Sequence, residues 1–376
     1  MKVAAVCDFP YWEGRIGSAV RMESLCQSLA QVCDLSVICS LTISSQYQAG
    51  MEAAPYTLYD RKALKNANEL DPGPPIAGVR PNRQVTVNGV KRLVEAGGYD
   101  AVLIPYFNRS WMIEHIRPDI LRIVDTIDCQ SQRARSFAAH GLTPTFPMTA
   151  QEEGVAIDRF DVALAISDED QNEFSAFTDT PVITAPFRLA PKPIYAAREN
   201  ASEVLFIAAQ SDVNNMTLAY LMEEILPLVR RPLTLHVVGN VTIPDSCPDH
   251  ITLVRHENVS DVGWIYRSVD LALNPTYAGG GIKTKTLEAM AYGVPVLTSD
   301  EGARGLSDLL PGELVINDKE TFAYRIGTLL DDQDGRRRLS EQIIANMQAE
   351  DNTSWTSTLA LVLRALKARQ KEKEQA

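Results

Sequence analysis

Gly279, Gly280, Gly281, Ile282, Lys283, Thr284, Lys285 and Glu288 bring two cations, a carboxylate and a glycine run into one short stretch of the 376-residue chain. Cations beside glycines suit the holding of a phosphate or diphosphate. Glycine lets an anion approach the backbone and permits positive φ. Leu287, Met290 and Ala291 recur at helical spacing, which predicts a helix starting near Lys283. Gly293, with Pro295 just beyond, stops it. Lys283 and Lys285 then stand in the first turn, where free N–H groups already make a positive end, a placement unfavourable by about 0.3–1 kcal/mol each. An exposed helix start tolerates that cost; a bound anion removes it, because N–H groups and ammonium groups then share one ligand. The stretch is not a Walker A loop, since no glycine directly precedes either lysine.

Two further groups could do chemistry. Asp125 and Asp128, in DTIDCQSQRARSF, lie just past a strand's carboxyl end, where parallel sheets bind ligands. They are candidates for orienting an acceptor hydroxyl; alternatively Asp128 caps the helix that follows. Near the N-terminus, Gly14, Arg15 and Gly17 follow the first strand and are candidates to approach a diphosphate or an acceptor. With no further glycine they do not make a dinucleotide fingerprint. The acid pairs Asp332/Asp334 and Asp168/Asp170 read as helix starts rather than cation ligands, and no histidine or cysteine spacing suggests a metal. Neither a metal nor a cofactor is expected.

The run GGGIKTKTLEAMAYGVPVLTSDEGARG resembles the donor-binding segment of retaining glycosyltransferases of family 4, which have the GT-B fold. The resemblance implies that Glu288 holds the ribose of a UDP- or GDP-linked sugar. It also implies that sugar passes with retention, without a metal, to the hydroxyl of a glycan, glycolipid or polysaccharide precursor. The family often sets a second glutamate eight positions earlier, where this chain has Gly280. DTIDC resembles an acceptor-side Asp-Thr-His-Asp element, with Ile127 at the histidine position. Two rivals stay open: a nucleotide-sugar epimerase of the same fold, and a non-catalytic protein that binds sugar nucleotides.

These groups need two sets of strands and helices to position them. VAAVC, a glycine loop, a helix through Met22, Leu25 and Leu29, and LSVIC make a βαβ unit and imply a parallel sheet. AVLIP, LRIVD, DVALAIS and PVITA continue it, and residues 44–84 read as an irregular excursion with a helix near 62–70. A proline-stiffened stretch follows, and then EVLFIA, a helix over about 215–229, LTLHVVG, ITLV, DLALNP, PVLTS and ELVI repeat the rhythm. The expected architecture is α/β, of GT-B type: two Rossmann-like lobes with parallel sheets facing an interdomain cleft. Residues 1–186 form the acceptor lobe, 187–202 a linker, 203–350 the donor lobe, and 351–376 a helix crossing back to the first lobe.

Composition sets the outer limits. A net charge of −12 argues against nucleic acid as the main partner. Arg80, Arg83, Lys91 and Arg92 form a local basic run, either a solvated face or a patch meeting anionic lipid headgroups. No apolar run is long enough for a membrane span, and Asp8 interrupts the short N-terminal one, so a cytoplasmic protein is expected, with the inner membrane surface as a possible site of contact. The six cysteines lack CxxC spacing and are expected to be small buried hydrophobes.

Overall fold

The computed structural model describes residues 1–14, 16–39, 41–66, 91–106, 113, 116–144, 146–259, 261–349 and 352–375. The chain forms two compact units: Met1–Cys129, Met148–Phe187 and Asn352–Ala376 in the first, Gln130–Pro147 and Arg188–Asp351 in the second.

The first unit is built on β1 (Lys2–Cys7), β2 (Asp34–Cys39), β3 (Thr57–Tyr59), β4 (Ala101–Pro105), β5 (Leu121–Asp125), β6 (Val162–Ala165) and β7 (Val182–Thr184). All pairings are parallel, in the order β3-β2-β1-β4-β5-β6-β7. Side chains alternate across a strand, so Val3, Ala5 and Cys7 of β1 join one buried cluster while Ala4 and Val6 join the other. Burial on both faces explains why these strands read as unbroken apolar runs. The helix Asn352–Gln375 covers one face, burying Trp355, Leu359 and Leu363 in the cluster that holds Val3, Leu25 and Leu29.

The second unit holds β8 (Glu203–Ile207), β9 (Leu233–Val238), β10 (Ile251–His256), β11 (Leu271–Asn274) and β12 (Val296–Thr298), all parallel, in the order β10-β9-β8-β11-β12. Strand order reverses between β8 and β11, and such switch points are where open α/β sheets bind ligands, beyond the strands' carboxyl ends.

Four expectations change. The excursion holds more than the helix expected near 62–70, which is Arg61–Asn66: the helix Ser45–Glu52 and β3 are also among its described residues. Met51 and Tyr56 anchor it in the core. The segment ELVI makes a 3-10 turn, Gly312–Leu314, and a single bridge from Val315 to Thr298 instead of a strand. The helix expected over 215–229 is Asp212–Tyr220, continued by a π turn, Leu221–Ile225, and a tight turn, Leu226–Leu228. Pro227 explains the break, because its ring displaces the carbonyl of residue i−4 and it offers no N–H. Finally, Gln130–Pro147 clusters with the second unit rather than the first. The stretch 187–202 is irregular, as its prolines predict, and lies on the second unit, where Lys192 N–H donates to Ala291 O at 2.7 Å.

Candidate phosphate-binding site

The loop after β11 leads into the helix Thr284–Ala291, and the loop after β8 into Asp212–Tyr220, so both helices start at the switch point. Ser211 caps the latter, accepting from Asn214 N–H. The former has Lys283 at its N-cap and no side-chain cap. The first bonds at this end run from the Thr286 and Leu287 N–H groups to Lys283 O, and among the described residues the Thr284 and Lys285 N–H groups have no acceptor. Orphan N–H groups at a helix N-terminus favour an anion.

Lys285 links the two helix starts, donating from Nζ to Asn214 Oδ1 at 2.8 Å with the ammonium 5.2 Å from the Phe206 ring centroid. Burial, and after it the charge of Lys283, pulls Lys285 down to about 7. An ammonium so disfavoured gains from a nearby anion. Lys283 is committed otherwise. Its Nζ contacts Glu301 Oε1 at 2.7 Å, Gly281 O at 3.0 Å and Gly280 O at 3.4 Å. The two expected phosphate-binding lysines thus stand in different places: Lys283 clamps the glycine loop, with Glu301 balancing its charge, and Lys285 faces the switch point's helix starts.

The loop bends through Gly279 at φ +149° and Gly281 at φ +60°, the latter left-handed, which is why glycine stands there. Ile282 is buried beneath it. A hydroxyl network supports it: Asn274 Nδ2 donates to Thr286 Oγ1 at 2.8 Å, which donates to Gly302 O at 2.9 Å, while Thr298 Oγ1 donates to Asn274 O at 2.8 Å. One helical turn on from Lys285, Glu288 accepts from the Tyr266 hydroxyl at 3.0 Å, and burial raises its carboxyl above the usual range. Tyr266 stacks on Tyr292 with centroids 4.6 Å apart, fixing the phenol.

In the first unit, Asp125 is fully buried at the end of β5 and paired with Arg21, whose Nη2 lies 2.8 Å and Nε 3.2 Å from it, while Nη1 donates to Pro186 O at 3.1 Å. In that arrangement both carboxylate oxygens of Asp125 face the Arg21 guanidinium. Asp128 is buried, at 6% exposure. Gly14 ends a 3-10 turn at φ +62°, and Gly17 opens the helix Gly17–Leu29. Arg15, Arg80 and Arg83 lie outside the described residues. Lys91 reaches Glu95 one helical turn away at 4.0 Å, half exposed. Asp332 Oδ1 accepts from Gly335 N–H at 2.8 Å and Asp334 pairs with Arg337 at 2.6 Å, as helix-start residues do. Ser167 caps the helix begun by Asp168.

Sequence reading missed Asn214, Glu301, Tyr266 and Arg21 as partners. Arg21 alone left a signal: it shares the helical stripe of Leu25 and Leu29, where a charge is out of place unless paired.

Residues 201–332 match the family model described as Glycosyl transferases group 1. The match takes in β8 to β12 and the whole glycine loop, roughly a third of the chain. No curated protein sequence matches. Among solved structures, a sucrose-phosphate synthase (tll1590) from Thermosynechococcus elongatus is 14% identical, with a TM-score of 0.67 over 98% of this chain and 100% of that one. TarM is 9% identical, with a TM-score of 0.70 over 96% and 98%. Anabaena Alr3699/HepE, solved in complex with UDP-glucose, is 14% identical, with a TM-score of 0.61 over 97% and 100%. At these identities the likeness establishes the fold, a two-sheet α/β architecture of the GT-B kind. No described helix is long and apolar enough to cross a membrane.

Proposed function

We propose that the protein is a glycosyltransferase that takes a sugar from a UDP- or GDP-linked donor and passes it, with retention, to a hydroxyl of a glycan, glycolipid or polysaccharide precursor. The observation that carries this reading is the switch-point cradle: Lys285, the open Thr284 and Lys285 N–H groups and Glu288 along one short helix. The group 1 match over the same residues and the UDP-glucose complex of a structural neighbour support it.

The physical logic is differential. As the sugar–oxygen bond breaks, charge gathers on the departing diphosphate. Lys285 and the helix N–H groups stabilise that charge more than the bound donor, which is what lowers a barrier. Glu288, oriented by Tyr266, takes the ribose hydroxyls. The fixed cations and N–H groups take the part that a divalent ion plays elsewhere, so the reaction proceeds without one. Asp128 is the first-unit carboxylate proposed for the acceptor hydroxyl.

A thermal-shift panel of nucleoside diphosphates and sugar nucleotides tests the reading. A ligand at 100 times its Kd adds about 2.7 kcal/mol of stability, so UDP or GDP should raise Tm by several degrees. A panel without any shift refutes it, and conversion of the donor to an epimer without acceptor favours the epimerase.

A further inference from the structure

The helix Gln130–Ala139 is part of the second unit and lies directly on the glycine loop. Ser136 Oγ accepts from Gly279 N–H at 3.1 Å, and the His140 ring lies tilted against Tyr277 with centroids 5.1 Å apart. The approach is closest at Gly280. A Cβ added there would sit 2.8 Å from Arg133 Cβ and 3.1 Å from Gln132 Oε1, so the position has no room for a side chain. The residue type at 280 is therefore dictated by the helix above it, and that helix brings polar side chains of its own to the loop.

Gln132 supplies one. Its side chain is half-buried, yet Oε1 is sealed from solvent and accepts no hydrogen bond. Leaving a buried acceptor unsatisfied costs about 1–3 kcal/mol. Native structures keep few such atoms, and each calls for a partner or a role. An amide at the edge of a helix could turn outward to water; this one is held against the bare Cα of Gly280, on the loop that opens the phosphate cradle.

We propose that Gln132 is a specificity-determining residue for the donor, its side chain turning from Gly280 when donor binds so that Oε1 accepts a hydrogen bond from a hydroxyl of the sugar attached to the diphosphate. This deepens the reading of the loop as a nucleotide-sugar site and rests on it. The nucleoside diphosphate is held by Lys285, Glu288 and the helix start; the sugar is read by an amide from the covering helix. A neutral acceptor in a sealed place rejects a sugar whose hydroxyl points elsewhere, because the orphan oxygen then stays unpaired.

The test separates the two parts of the ligand. Calorimetric Kd values for UDP, UDP-glucose, UDP-galactose, GDP and GDP-mannose are measured on the wild type, Gln132→Ala and Gln132→Glu. In Gln132→Ala the free nucleoside diphosphate should bind within twofold of wild type. The preferred sugar nucleotide should lose about tenfold, the size of one neutral hydrogen bond, and discrimination between sugars should shrink. Gln132→Glu, which keeps the acceptor, should restore most of that discrimination. An equal loss for diphosphate and sugar nucleotide, or unchanged discrimination in Gln132→Ala, overturns the proposal while leaving the nucleotide site intact. Failure of the wild type to bind any of the five probes overturns both.

Discussion

Lys285 is the residue on which the chemistry turns, and its environment gives it a pH signature. Buried beside Lys283, it is half-protonated near pH 7 in the ligand-free protein. A diphosphate favours the charged form and raises its affinity for the proton, so binding takes a proton up. Affinity should therefore fall as pH rises above 7, and calorimetry in buffers of different ionisation heat should show proton uptake. Lys285→Met should remove that uptake and lower kcat/KM by about 10²–10³, as loss of one contact to developing negative charge does. The linkage to stability has the same origin. The unfolded chain keeps this proton up to about pH 10.4, whereas the folded protein releases it near 7. The unfolded state holds more protons across that window, so the lysine's contribution makes stability rise with pH there.

At the scale of elements, β5 and the helix Gly17–Leu29 are joined by the Arg21–Asp125 pair. Arg21 is 1% exposed and Asp125 is fully buried. Removing one partner of a buried pair leaves an uncompensated charge, a loss of about 3–5 kcal/mol. Asp125→Ala should lower the urea midpoint accordingly, and Asp125→Leu combined with Arg21→Met should recover much of it. A stable Asp125→Ala protein that loses only activity would instead place that carboxylate in contact with substrate. The Thr284–Ala291 helix answers a different constraint. Thr286, Leu287, Ala289, Met290 and Ala291 are buried, so its apolar residues fix its roll and turn Lys285 and Glu288, only partly covered, away from that core face.

At the scale of the molecule, the chain passes between its two units at 129–130, 147–148, 187–188 and 351–352. Neither unit is one continuous segment, so neither survives a simple cut. Deleting 352–376 strips the first unit of Trp355, Leu359 and Leu363, each burying apolar surface against its core. At about 1.5–3 kcal/mol per side chain, the loss is comparable with the 5–15 kcal/mol that holds an ordinary domain together. The truncated protein should bind an exposed-hydrophobe dye and unfold well below the full chain. A Tm within a few degrees of wild type would show that this helix is dispensable.

Sequence alone determined what depends on neighbours along the chain. Apolar runs such as VAAVC and AVLIP have no polar face and must lie inside a parallel sheet. The glycines and lysines of 279–285 mark a strand-to-helix turn suited to an anion, and prolines fix the stiff stretch near 190. Tertiary structure decided which charges remain for a ligand, because pairing joins residues far apart in sequence. Asn214 meets Lys285 across 71 positions, Glu301 meets Lys283 across 18, and Arg21 meets Asp125 across 104. Local periodicity carries no record of such distances. The same holds for Gly280, whose bareness answers to a helix some 150 residues earlier, against which any side chain would collide.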